Sequence, residues 1–415
     1  MKIVVVNRSD LRGGAAVVSS RLAAALRGLG HEVSMLVCEK LGSDPHTLVA
    51  AGRAGVAVPF LTERLRIFAA NGFDRDTLFK IDTGYNGLPL WKHPAIKEAD
   101  AILLNWTNQG MLSLRGLRKL LATGKPVLVT MHDMWAFTGI CHHAGTCLRY
   151  EDECGCCPLL KGKAWPHDLS YKTWNRKKRT YDSSRGNLAF IAVSGWLAGL
   201  ARRSSLLGDR RVEVIPNPFD LTDALATPRI KERKDNEIRI AFGAARIDDP
   251  VKDHLALAEV SRVLRRDYPE LAARVRIVTF GGLKDAHALD GIGTAHTHLG
   301  VLPASDIGKV YADSDIVLST SLYETLPGTL VEGQAYGAIP VALDHGGQSD
   351  IIDHKTTGYL ARWSDSREER AARLAAGIAW AADREIGEEM RRSVERKFAA
   401  GAIARRYEEL IRSFL

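Results

Sequence analysis

The sequence predicts an α/β protein made of two successive doubly wound domains, each a parallel sheet with helices on its faces. Three observations carry this. Short apolar runs of strand length alternate with helix-spaced segments, as sheets buried on both faces require. The alternation restarts after a polar stretch that begins at Pro216-Asn217-Pro218 and ends at Asn236. The length, 415 residues, suits two or three domains of about 150 residues each.

The first predicted strand lies in K-I-V-V-V-N and closes at Asn7. The loop R-S-D-L-R-G-G leads into A-A-V-V-S-S-R-L-A-A-A-L-R-G-L-G, apolar at helical spacing, with Gly28 and Gly30 marking its end. H-E-V-S-M-L-V follows as a strand and completes a unit of Rossmann type. Next come A-I-L-L-N-W (101–106), a helix around 110–123, P-V-L-V-T-M (126–131), L-A-F-I-A-V-S (188–194) and V-E-V-I-P-N (212–217). The second series opens with I-R-I-A-F-G at Ile238 and a helix near 252–267. It continues with V-R-I-V-T-F-G (275–281), D-I-V-L-S-T (315–320), a helix after Pro327 and P-V-A-L (340–343). The expected divisions are 1–217, 218–383 and a helical tail, 384–415.

Hydrophobic residues at 46% and charged residues at 26% exclude a disordered chain, a collagen and a small disulfide scaffold. No apolar run approaches the roughly 18 residues of a membrane span. Lys2 precedes an apolar stretch too short for a signal-peptide core, so a soluble, cytoplasmic protein is expected. Charge is uneven: residues 1–217 hold 30 Lys and Arg against 18 Asp and Glu, and residues 218–415 hold 27 against 31. The basic half therefore expects an anionic partner, whether nucleic acid, an anionic membrane surface or a phosphorylated acceptor.

Ligands of open α/β sheets bind beyond the carboxyl ends of the strands, which singles out four places. Gly13-Gly14 follows the first strand and suits an anion-binding helix start or simply a tight turn. His132-Asp133 follows V-L-V-T-M, where an imidazole can serve a hydroxyl or a developing charge. Arg246 and Lys252 follow I-R-I-A-F-G and suit a diphosphate, or are solvated surface charges. The last is Y-E-T-L-P-G-T-L-V-E-G-Q-A-Y-G-A-I-P-V. Pro327 in a first helical turn leaves the following N–H groups to face an anion, with Glu324 in the loop and Glu332 two turns into the helix.

This string, with D-H-G-G-Q-S-D-I-I-D-H-K-T-T-G-Y-L-A behind it, resembles the donor region of retaining glycosyltransferases of family 4. The likeness covers nearly the whole chain, since Gly13-Gly14, V-I-P-N at 214–217 and the Arg246…Lys252 pair fall in the expected order. It implies the GT-B fold, two Rossmann-like domains facing across a cleft with the C-terminal helix crossing back. It further implies that Glu332 holds the ribose hydroxyls and Glu324 contacts the transferred sugar. The backbone N–H groups of Pro327–Leu330 (Gly328, Thr329 and Leu330, since Pro327 has none) would meet sugar and phosphate. Arg246 and Lys252 would neutralise the leaving diphosphate with no metal required, and Gly13, Gly14 and His132 would line the acceptor wall. Two positions depart from the family pattern: Asp253 stands where glycine is usual, and Leu326-Pro327-Gly328 replaces the commoner Phe-Gly.

Five of the six cysteines lie between Cys141 and Cys157. The spacing Cys141-x5-Cys147-x6-Cys154-x2-Cys157 suits a structural zinc tetrathiolate. Free thiols, a disulfide, or His142 or His143 replacing one cysteine are the competing readings. The cluster resembles a loop in a family 4 branch of capsular and colanic-acid type. Trp165–Tyr181 carries five basic residues and four large aromatics, suited to an anionic membrane, a lipid-linked diphosphate or a solvated helix.

The expected function is transfer of a hexose from a nucleoside diphosphate sugar, UDP- or GDP-linked, to a glycan or polyprenyl-diphosphate-linked acceptor in bacterial surface polysaccharide synthesis. Peripheral contact with an anionic membrane fits the basic half, and no nucleic acid is expected. A nucleotide-sugar epimerase or phosphorylase is the nearest rival. A nucleic-acid-binding module stands further off, since it leaves the glutamate string unused.

Overall fold

The computed structural model describes residues 1–161, 163–227, 236–384 and 388–415. It forms two compact units, Met1–Pro218 with Ala400–Leu415, and Phe219–Ala399.

The first unit holds strands β1 (Lys2–Ser9), β2 (Glu32–Glu39), β3 (Thr47–Val49), β4 (Ala101–Leu104), β5 (Val127–Met131), β6 (Leu188–Ala192) and β7 (Val212–Val214). Their order is β3-β2-β1-β4-β5-β6-β7, all parallel. The order reverses between β1 and β4, which opens a crevice beyond their carboxyl ends. The helix Gly14–Gly28 returns the chain from β1 to β2 and buries Val18, Leu22 and Leu26. Leu22 and Leu26 pack with Ile3, Val5, Leu103 and Ile191, and the helix Ala400–Arg412 adds Ile403, Tyr407 and Ile411 to the same core. Tyr407 Oη and Thr130 Oγ1 share a buried hydrogen bond of 3.0 Å.

The second unit holds β8 (Ile238–Arg246), β9 (Val275–Gly282), β10 (Ala295–His298), β11 (Ile316–Ser319), β12 (Ile339–Asp344) and β13 (Tyr359–Arg362). The order β10-β9-β8-β11-β12-β13 is again parallel and reverses between β8 and β11.

Several elements differ from the expectation. The helix placed around 110–123 is shorter, Leu114–Leu121, because Ser113 caps it: its Oγ accepts from the Gly116 N–H at 3.0 Å. Of the polar stretch after Pro218, Thr222–Ala226 is helical and belongs to the second unit, while 228–235 lie outside the described residues. The second unit continues through Ala399 rather than closing at 383, so the helix Glu388–Phe398 belongs to it. The cause is local: the Phe219 N–H donates to the Phe398 carbonyl at 2.9 Å, and their rings meet edge to face at 6.2 Å. Among the described residues no helix is long and apolar enough to cross a membrane.

Candidate active site

In the second unit, the chain leaves β11 at Ser319 and enters the helix Gly328–Tyr336. Pro327 is the N-cap of that helix, not a residue of its first turn, and Gly328 is the first helical residue. Glu332 accordingly lies one turn in, not two, and is half-buried. No side chain caps this end, so the Gly328 and Thr329 N–H groups and the positive pole of the helix remain for an anion, whereas the Leu330 N–H, expected to join them, donates to the Pro327 carbonyl at 3.2 Å. A Cβ at Gly328 would approach Phe219 Cε1 to 3.3 Å, so glycine keeps the backbone close to that ring.

Lys252 ends the short turn Pro250–Lys252 that follows β8. Its ammonium forms an ion pair with Glu324, and Ser321 Oγ donates to the same carboxylate oxygen at 3.0 Å. The backbone around Glu324 is held as well. Its carbonyl accepts from the Gly347 N–H at 2.8 Å, and Gly346 beside it sits at φ 152°. A Cβ there would fall 2.4 Å from the Glu324 oxygen, so only glycine fits. His345 Nδ1 donates to the Leu322 carbonyl at 2.5 Å, and its ring stacks on Trp363 at 3.9 Å.

Arg246 is ion-paired with Asp249 at 2.9 Å and Asp248 at 3.6 Å. An incoming diphosphate would share this guanidinium with two carboxylates. Asp253 has φ 44°, the left-handed region in which a glycine is at ease. Its buried carboxylate accepts from Arg367 Nε and from Arg370 Nη2, each at 2.9 Å, which fixes the turn that presents Lys252.

The first unit carries a cavity of about 1110 Å³ at the carboxyl ends of β1, β4 and β5. Gly13, at φ 91°, is the N-cap of Gly14–Gly28, and both glycines line the cavity with His132. Arg8, Arg12, Lys40 and Arg53 give its wall a cationic character, against Glu39 and Asp133. His132 Nε2 donates to Asn105 Oδ1 at 3.0 Å. Burial pushes its imidazole down to about 4 against a weak pull from Asp133, so it is neutral at physiological pH. Asp133 Oδ2 accepts from His142 Nδ1 at 2.7 Å and from Trp106 Nε1 at 3.0 Å, and its Oδ1 accepts from the Trp135 N–H at 2.8 Å. Burial alone would raise this carboxyl, but the His142 charge and these hydrogen bonds outweigh it and hold it well below the carboxylate range. Burial likewise works against the His142 cation, yet Asp133 overrides it and raises the imidazole above 6.5.

A raised histidine contributes stability that is complete below its ordinary value and fades as pH climbs through the folded one. The depressed Asp133 contribution fades only in acid, below the ordinary carboxylate value. In thermal melts, His142→Gln is therefore expected to cost most between the ordinary carboxylate and imidazole values, at about pH 4 to 6.5, by about 3 kcal/mol as for a broken buried pair. The gap to wild type should shrink at alkaline pH. A gap independent of pH would mean that the pair carries no net charge interaction.

Four cysteines, Cys141, Cys147, Cys154 and Cys157, line one small cavity in the first unit. Among the described residues no group of three or more His, Cys, Asp or Glu side chains is set to hold a metal ion. Burial pushes the Cys154 and Cys157 thiols up to about 12, which suits a structural and not a nucleophilic role. In the basic helix Leu169–Asp182, Lys177 is buried and Arg176 reaches the Thr83 and Gly84 carbonyls, leaving Lys172, Lys178 and Arg179 exposed.

The sequence singled out His132 and Asp133 but passed over Asn105, Trp106 and the contact of His142 with Asp133. Asn105 and Trp106 directly follow β4, the same strand-end signal that marked the others.

Comparison with known proteins bears on the family and the fold. Residues 12–223, just over half of the chain, match the model of Glycosyltransferase Family 4, and residues 239–379 match Glycosyl transferases group 1. A D-inositol 3-phosphate glycosyltransferase of Stackebrandtia nassauensis is 32% identical over 187 residues, 40% of this chain and 42% of that protein. A glycogen synthase of Pseudomonas putida is 27% identical over 207 residues, 43% and 38% of the two chains. The matched stretches thus span about two fifths of these curated relatives. The crystal structure of Anabaena HepE in complex with UDP aligns over 100% of both chains with TM-score 0.60 at 16% identity. That of WaaG, a glycosyltransferase involved in lipopolysaccharide biosynthesis, aligns over 99% of both with TM-score 0.59 at 12% identity. The two parallel sheets are those of the GT-B fold, and the chain belongs to Glycosyltransferase Family 4.

Proposed function

We propose that the enzyme transfers a hexose from a UDP- or GDP-linked sugar to a glycan or lipid-linked saccharide, with retention at the anomeric carbon, in bacterial surface polysaccharide synthesis. The observation that carries the reading is the Lys252–Glu324 pair beside an uncapped helix start bearing Glu332. Departure of a nucleoside diphosphate builds negative charge on its oxygens. Lys252, Arg246 and the N–H groups of Gly328 and Thr329 meet that charge with preorganised donors, without a metal ion. Glu332 takes the ribose hydroxyls. Glu324, already paired with a cation, acts on the sugar hydroxyls and not as a nucleophile, which favours attack on the face the diphosphate leaves.

The acceptor occupies the cavity of the first unit, where cationic side chains suit a diphosphate-linked saccharide and neutral His132 hydrogen-bonds the attacking hydroxyl. Exposed Lys172, Lys178 and Arg179 suit peripheral contact with anionic lipid. The UDP held by HepE and the lipopolysaccharide role of WaaG support the donor class and the setting.

Calorimetric titration with UDP, GDP and ADP, without divalent metal, tests the donor side. One of the first two is expected to bind, and Glu332→Ala to weaken it about 10- to 100-fold, as for loss of a charged hydrogen-bond acceptor. Failure of all three to bind would overturn the assignment.

A further inference from the structure

We propose that Cys141, Cys147, Cys154 and Cys157 bind one structural zinc ion, and that this ion pins the loop carrying His142 and His143 to the acceptor cavity. All four residues line a single cavity of about 20 Å³. That is room for one atom-sized occupant, since a water needs about 10–15 Å³ on the same measure. Cys156, held at φ 45°, is not among the lining residues. Four cysteines lining one small void supply the donor types that zinc takes in closed structural sites, and since no three of them stand at ligand geometry in this structure, the ion itself must draw them together.

Two features next to the cavity suit an anionic metal–thiolate centre. The Gly139 N–H donates to Cys154 Sγ at 3.1 Å, a bond that stabilises a ligating thiolate. A Cβ on Gly139 would lie 2.6 Å from the Ser170 carbonyl oxygen, so the chain is brought in closely here. Lys177 is wholly buried beside the same loop. Its ammonium donates to the Trp135 and Thr138 carbonyls and lies 3.6 Å from the centre of the Trp135 ring. Both hydrogen bonds go to neutral carbonyls, and among the described residues no carboxylate forms an ion pair with this ammonium. A zinc ion with four thiolates carries net negative charge, which supplies the counter-charge that a buried cation needs.

Binding releases the thiol protons to solvent and draws the sulfurs to about 2.3 Å from the metal. Cys147, half-buried in the 144–148 loop, is best placed to move. The functional link is adjacency: His142, next to Cys141, holds Asp133, and His143 lines the acceptor cavity.

The test uses full-length enzyme purified without chelator. Elemental analysis is expected to find about one zinc per chain, and cobalt substitution to give the intense visible bands of tetrahedral thiolate coordination. Cys154→Ser and Cys147→Ser should lose the metal, while Cys38→Ser and Cys156→Ser keep it. Should the serine variants fail to fold, wild type stripped by chelator supplies the second readout: faster amide exchange over 139–160, restored by zinc. Enzyme that binds neither zinc nor cobalt overturns the proposal, whether thiol titration then finds six reactive cysteines or fewer through a disulfide. Metal retained in both serine variants overturns it too.

Discussion

Lys252→Ala is expected to lower kcat for sugar transfer by about 10²- to 10³-fold, the cost of removing one preorganised charge donor from a transition state. The effect on KM should be smaller, because on the proposed donor site Arg246 and the helix start would still meet the diphosphate. Truncation also leaves Glu324 as an uncompensated carboxylate where, on the proposed donor site, the phosphates would arrive. The double variant Lys252→Ala/Glu324→Gln should therefore recover part of the lost rate or donor affinity, a non-additivity expected of groups in direct contact. Initial rates with the nucleotide sugar identified by calorimetry make the comparison. A full kcat in Lys252→Ala would reduce the ion pair to a structural tie.

Asp253→Ala is expected to cost about 3–5 kcal/mol, as for a buried ion pair that loses one partner. Most of this comes from Arg370, which is buried and would be left without its carboxylate; Arg367 is 47% exposed and contributes less. Alanine also tolerates φ 44° poorly, adding about 1 kcal/mol. The melting temperature should fall on the order of 10 °C. Asp253→Gly removes the strain but not the lost pairs, so it should lie between alanine and wild type. If glycine melts no higher than alanine, backbone conformation contributes nothing at this turn.

The strands were readable because they are buried on both faces and so are written as unbroken apolar runs, as in β1, β5 and β11. The helix Arg53–Ala70 was not. It contains Pro59 and buries Glu63, Arg64 and Ile67, so no apolar stripe announces it. Its inward face is polar: Glu63 accepts from the Thr83 N–H at 2.7 Å, and Arg64 pairs with Asp82 at 2.7 Å. The edge strand β10, A-H-T-H, likewise lacks an apolar pattern. At the site, Glu324, Pro327, Gly328 and Glu332 were legible because they lie within nine residues of one another. The contact of Lys252 with Glu324 spans 72 positions and exists only because β8 neighbours β11. The Asn105, Trp106, Asp133 and His142 network draws on two strand ends and a cysteine-rich loop, so spacing alone could not assemble it.

The membership of Ala400–Arg412 in the first unit sets an order of events during synthesis. The ribosome delivers the first 218 residues early, yet the core around Ile3, Val5 and Leu22 still lacks Ile403, Tyr407 and Ile411. The intervening 219–399 segment is continuous and complete in itself. The half of the enzyme that is translated first therefore finishes folding last. Until then its sheet keeps an apolar face uncovered, and that nascent stage is where chaperone capture or aggregation should concentrate.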